Sequence, residues 1–207
     1  MPLHAVEAGP RPSPGSRTLV LLHGYGADER DLVPLGEELD PALSVVSLRG
    51  PLSLGGRMRA WFNLQQTRDG FLVDPEEVRR SGKVLDEALA GLAAARGPLI
   101  VLGFSQGACM AIRAAFAAPE RFRALVSLSG VPPGLGADDG PPPAALRGKP
   151  AFAAHGTRDP LLPPIAGHEV RATLEGAGMD VTFREYAMGH QICSEEVSDL
   201  RAWLAPR

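Results

Sequence analysis

The chain is short of the residues that build several familiar kinds of site. It has two cysteines, Cys109 and Cys193, in 207 residues. They allow one bridge at most in a chain long enough not to need one, and neither belongs to a CxxC or Cys/His cluster. A structural metal site is therefore unsupported, and a reducing, cytoplasmic compartment is expected. Charge of one sign is also missing: 24 acidic residues face 21 basic ones, with no block of five like charges. Neither a nucleic-acid groove nor a membrane-surface patch has its electrostatic footprint. The longest uncharged run, Gly97 to Ile112, is broken by glycine, serine and glutamine and falls short of the roughly 20 apolar residues a spanning helix needs. Residues 1–16 hold no basic cluster ahead of an apolar stretch, so a secretory leader is not expected.

What is present is enough for a core. Hydrophobic residues make up 44% and charged ones 22%, which places residues 1–207 as one globular domain. Glycine and proline, 24 and 20 residues, are expected in turns. Continuous apolar runs at Thr18–Leu22, Ser44–Leu48, Leu99–Gly103, Ala124–Leu128 and Ala151–Ala154, with an alternating one at Val181–Tyr186, read as strands, most of them covered on both faces. Helical patterns fall between them at about Glu29–Leu39, Asp74–Arg96, Gln106–Ala117, Ile165–Glu175 and Glu195–Leu204. In the longest, Asp74 reads as N-cap, Pro75 as first helical residue, and Glu77 as the partner in a capping box. Strands alternating with helices predict an α/β fold with a mainly parallel sheet and right-handed crossovers. Residues 1–16 are proline-rich and suit an edge strand or a surface path, and Val131–Lys149 reads as a long loop.

In such a sheet the chemistry belongs at the carboxyl ends of the strands. Leu99-Ile-Val-Leu-Gly103-Phe-Ser105-Gln-Gly107 runs from a strand through G-x-S-x-G into a helix, the context of a nucleophile elbow. A serine hydroxyl needs a base to take its proton and a third group to orient that base. Asp159 follows the Ala151–Ala154 strand and His190 follows the Val181–Tyr186 strand, so Ser105, Asp159 and His190 are expected at one edge in the order serine, acid, histidine. The rival acids Asp138 and Asp139 lie in the proline-rich loop, and Asp180 opens a strand at its far end. Among rival bases His4 is near the terminus, His155 precedes the acid and His168 sits in a helix. His23, in a glycine turn before the serine, is expected to be a hydrogen-bonded loop residue. An oxyanion needs preorganised N–H donors, for which the amides of Gln106 and Tyr25 are the candidates. The glycine turn is no dinucleotide fingerprint, because Glu29 occupies the third glycine position, and no G-x-x-x-x-G-K loop exists. No cofactor or metal is expected.

These residues resemble the phospholipase/carboxylesterase group of small α/β-hydrolases, which includes bacterial carboxylesterases and acyl-protein thioesterases. Leu22-His-Gly-Tyr-Gly-Ala-Asp28, Gly103-Phe-Ser-Gln-Gly107, His155-Gly-Thr-Arg-Asp159 and Met188-Gly-His190 carry the likeness over about residues 17–204. The resemblance implies an α/β-hydrolase fold, helices on both faces of the sheet, Ser105, Asp159 and His190 as triad, and Tyr25 and Gln106 as amide donors. It matches Trp61 and Phe62 to a pair near the substrate pocket, and hints at a homodimer. Asn63 stands where aspartate is usual and Ala108 where glycine is commoner. Tyr25, Trp61, Phe62 and Phe71 are loop aromatics in a chain with only 5% aromatics, so an acyl site lined by them is expected. The expected reaction is hydrolysis of small to medium carboxylic esters, or thioesters, through an acyl-enzyme. A lysophospholipase, an acyl-protein thioesterase, a peptidase and a non-catalytic ligand-binding protein on the same fold are the alternatives.

Overall fold

A computed structural model describes residues 3–13, 15–67, 70–134, 142–205 and 207. In chain order the elements are β1 (Ala5–Ala8), β2 (Thr18–Leu22), α1 (Val33–Leu39), β3 (Ser44–Leu48), β4 (Leu52–Gly55), β5 (Met58–Ala60), β6 (Gln65–Thr67) and β7 (Gly70–Leu72). They continue with α2 (Pro75–Arg96), β8 (Leu99–Phe104), α3 (Gln106–Ala117), β9 (Phe122–Leu128), β10 (Pro150–Gly156), α4 (Pro164–Gly176), β11 (Asp180–Tyr186) and α5 (Ser194–Leu204).

Seven strands form one sheet in the order β1-β3-β2-β8-β9-β10-β11. All pair in parallel except β1, which adds to the edge antiparallel with Ala5 opposite Leu48. Alternate residues of each inner strand point to opposite faces. Leu19 and Leu21 join Leu39 of α1 and Leu200 and Trp203 of α5 in one core, while Val20, Leu22 and Val101 join Leu85 of α2 and Ile112 of α3 in the other. Burial on both faces is why these strands read as continuous apolar runs. The sheet is thus the expected mainly parallel one with helices on both sides.

Three local expectations need correction. The first helix starts at Val33 rather than Glu29, because Asp28 and Glu29 are engaged in a loop: the Asp28 carboxylate accepts the Arg30 N–H at 2.9 Å and meets Arg57, and Glu29 is gripped by Arg49. The helix α2 is capped by Asp74, which accepts the Glu76 N–H at 2.9 Å, yet its capping box stays open. Glu77 instead accepts the backbone N–H and side-chain Nδ2–H of Asn63 at 2.7 and 2.8 Å. An amide at position 63 suits that carboxylate, where an aspartate would repel it. Finally, Phe71, expected in a loop, lies in β7, one strand of the short hairpins β4-β5 and β6-β7 that precede α2. The described parts of the Val131–Lys149 loop contain no strand, while residues 135–141, with Asp138 and Asp139, lie outside the described residues, as do residues 1, 2 and 14 of the N-terminal segment.

Glu196, in the first turn of α5, is fully buried. Burial pushes its carboxyl up to about 8, with the Cys193 N–H offsetting part of the cost of charge. The folded chain therefore holds this proton at neutral pH while the unfolded chain releases it near the ordinary 4.5, and the resulting stabilisation is lost as pH rises through that window. Glu196→Gln should gain in Tm relative to the parent as pH is raised from about 5 to 8; a difference that does not change with pH contradicts this.

Candidate active site

The carboxyl edge of the sheet is where the chain turns sharply. Ser105 follows β8 directly and adopts φ 55°, ψ −117°, a left-handed conformation costly for a residue with a Cβ. It is held there by its N–H, which donates to Leu128 O at 2.9 Å, and by the start of α3 immediately after it. The flanking glycines follow from close approach. A Cβ on Gly103 would collide with the Gly107 carbonyl, and one on Gly107 with the Leu22 carbonyl at the end of β2. The extra methyl of Ala108, where glycine is commoner in the resembled group, is fully buried and faces Gly130.

Three side chains from distant stretches meet at this turn. Nε2 of His190 lies 2.9 Å from Oγ of Ser105, and Nδ1 lies 2.6 Å from Oδ2 of Asp159. His190 follows β11 and Asp159 follows β10, neighbours in parallel register from Pro150↔Asp180 to Gly156↔Tyr186. The other Asp159 oxygen accepts N–H bonds from Leu161 and Leu162, both at 2.9 Å. Burial alone would raise this carboxyl. The Leu162 N–H, His190 and the Leu161 N–H outweigh it and hold the group below the ordinary carboxylate value, as an anion.

The rival residues are placed elsewhere. His23 is fully buried, its Nδ1 donating to Gly24 O at 2.8 Å and its Nε2 accepting the Gly50 N–H at 2.9 Å. Burial lowers its pKa, and both nitrogens are occupied, so it is the loop histidine expected. His4 and His168 face Glu29 and Glu185, and Asp180 opens β11 at the opposite edge. His155 was passed over in the sequence, but it lies under the acid. Its Nε2 donates to Leu162 O at 2.9 Å and sits 3.6 Å from Oδ2 of Asp159, bracing the loop that presents the carboxylate. Cys109 is buried with its thiol pushed up to about 12 by burial, which leaves it inert, and Met110 is core.

The turn carrying Tyr25 is fastened from below. Gly26 N–H donates to Arg59 O at 2.9 Å and Arg59 N–H to Ala27 O at 2.8 Å, so β5 pairs with the turn. The buried Glu29 carboxylate meets Arg49 through two bonds of 2.6 and 2.7 Å, and that guanidinium holds it at about 2. Among the described residues the Tyr25 and Gln106 N–H groups donate to no backbone carbonyl. The Gln106 side chain has its own task, bonding Trp61 N–H and Phe62 O at 2.8 and 2.7 Å.

A cavity of ≈ 400 Å³ opens on one side of His190 and a larger one of ≈ 900 Å³ on the other. The larger contains Ser105, Tyr25, Gln106, Phe62 and Phe71, walled mainly by apolar residues of α2, α3, α4 and the hairpin β6-β7. Of the expected aromatics, Trp61 is the correction. It is fully buried and absent from either wall, because its indole N–H is used on the His23 carbonyl at 2.9 Å. The wall residues Leu64, Val73, Val78 and Ile165 went unnoticed, since in sequence they resemble any packing residue.

The family model for Phospholipase/Carboxylesterase matches residues 4–206. The chain belongs to this family. It is 27% identical over 226 residues to acyl-protein thioesterase 1 of Kluyveromyces lactis, covering 99% of this chain and 98% of that protein. The solved carboxylesterase of Bacillus cereus superposes with a TM-score of 0.81 at 28% identity, over 97% of this chain and 92% of that one. Esterase PE8 superposes at 0.84 and 27%, over 100% and 99%. The chain is thus a hydrolase-family member on an α/β-hydrolase fold.

The close approach at the elbow can be tested on its own. Gly107→Ala should cost about 3 kcal/mol in urea unfolding through overpacking against Leu22. Gly91→Ala, in α2 with open space around it, should stabilise by about 1 kcal/mol. Equal effects would contradict the elbow geometry.

Proposed function

We propose that the protein is a serine hydrolase of carboxylic esters, with Ser105 as nucleophile, His190 as general base and then acid, and Asp159 as the group that orients and stabilises the imidazolium. The observation that carries this reading is the unbroken hydrogen-bond chain from the Ser105 hydroxyl through both nitrogens of His190 to an anionic Asp159. Ser105 Oγ attacks the carbonyl carbon while its proton passes to Nε2. The tetrahedral oxyanion is met by the N–H groups of Tyr25 and Gln106, the latter at the N-terminus of α3, where the helix dipole also favours negative charge. Collapse breaks the bond to the leaving oxygen, which takes the proton from Nε2 and departs as alcohol. Water then repeats the sequence on the acyl-enzyme and releases the acid.

The ≈ 900 Å³ cavity beside Ser105, with Phe62 and Phe71 on its wall, suits the acyl group of a small to medium ester. The likeness to an acyl-protein thioesterase supports thioesters as a second substrate class, since a thiol leaves by the same proton transfer. Two free cysteines fit a reducing cytoplasm, and no described helix is long and apolar enough to cross a membrane.

With p-nitrophenyl butyrate as substrate, Ser105→Ala should lose about 10⁴ to 10⁶-fold in kcat. Asp159→Asn should lose about 10⁴-fold, because an amide cannot hold the imidazole in the required tautomer. Near-normal turnover in the Ser105 variant overturns the assignment of the nucleophile, and absence of turnover in the parent protein leaves a ligand-binding protein as the alternative.

A further inference from the structure

The two hollows that flank His190 divide the site by substrate half. The larger contains Ser105, Tyr25 and Gln106, so the carbonyl oxygen and the acyl arm belong on that side of the sheet. The smaller, a shallow depression of ≈ 400 Å³, lies on the other side, between α1 and α5, and the two share only Phe104 and His190. Those rings stand 5.0 Å apart, tilted by 44°, as the partition between them. A leaving oxygen or sulfur must come within reach of Nε2 of His190 to collect its proton, and Nε2 is already 2.9 Å from the attacking hydroxyl. The group attached to that atom emerges beside the imidazole and has the depression as its adjoining hollow.

From this geometry, and resting on the hydrolase reading above, we infer that the depression is the leaving-group subsite and that it selects short alcohols or thiols with an apolar stem and a positive charge. The stem is provided for by Leu32, Leu35, Ile192 and Val197 on its walls. The charge is provided for by Asp31 and Glu38, which line the same depression together with no lysine or arginine. Among the described residues neither carboxylate is held in an ion pair, and Arg201 approaches Glu38 only through its backbone carbonyl. Both carboxylates are exposed, so the attraction is modest and screened by salt. The substrate therefore lies across the edge of the sheet, acyl arm towards α3 and cationic leaving group towards α1.

The direct test compares butyrylcholine with 3,3-dimethylbutyl butyrate, the neutral ester of the same shape. In low salt the parent protein should favour the choline ester in kcat/KM by about three- to tenfold, and the preference should shrink towards one in about 1 M salt. In the double variant Asp31→Asn, Glu38→Gln the ratio should fall to about one. As a second arm, Leu35→Trp fills the depression and should depress kcat/KM for the dimethylbutyl ester about tenfold more than for methyl butyrate. Equal rates for the two butyrate esters in the parent, a ratio that survives the double variant, or a Leu35→Trp effect equal on the methyl ester would each overturn the inference while leaving the hydrolase reading intact. Failure to turn over any of these esters, or p-nitrophenyl butyrate, would overturn both.

Discussion

The hydrogen bond between His190 and Ser105 joins residues 85 positions apart, and nearly every feature of the fold near the sheet edge serves to let it form. The serine reaches its place through a left-handed turn that only two side-chain-free neighbours permit. The histidine arrives from a strand three places further along the sheet, and parallel pairing of β8, β9, β10 and β11 brings it to the same edge. The apolar runs that bury both faces of the sheet supply the rigidity that a 2.9 Å contact between such distant stretches requires. Strain at Ser105 is stored against this packing, a common arrangement at reactive sites.

The polar groups around that contact are sorted by what holds them. Asp159 is anionic because backbone amides and an imidazole surround a carboxylate that burial alone would neutralise. His23, also buried near a strand end, has its pKa lowered by that burial and both its nitrogens committed to hydrogen bonds, which removes the one serious competitor for the role of base. Glu29 and Arg49 neutralise each other beneath the turn that carries Tyr25, so that the turn can present a free amide above. His155 braces the acid loop from the core side. The proposed chemistry thus depends on a buried framework several residues deeper than the three side chains that perform it.

Much of this was legible in the sequence, for identifiable reasons. Strands buried on both faces announce themselves as unbroken apolar runs, and the residue that follows each such run falls at the reactive edge of a parallel sheet, which is how Ser105, Asp159 and His190 could be singled out together. Elements of three or four residues carry no such period, so β4 to β7 were invisible, although β5 is what fastens the Tyr25 turn. Capping chemistry was read half correctly: Asp74 caps α2, but Glu77 is claimed by Asn63, a competition that only tertiary proximity decides. Trp61 misled because an aromatic in an apparent loop looks the same whether it faces a ligand or, as here, spends its indole N–H on the His23 carbonyl. The depression beside α1 could not be seen at all, since its walls come from residues over 150 positions apart that look like ordinary surface and packing side chains.

The claim underlying the proposed reaction is that the hydroxyl of Ser105 is activated by the neighbouring imidazole. Reaction of the folded protein with a fluorophosphonate, read by intact mass and peptide mapping, tests it most directly. One adduct per chain on Ser105, and loss of that labelling in His190→Ala although the serine is still present, is the predicted result. Labelling of His190→Ala at the parent rate, or an adduct on any other residue, would contradict it.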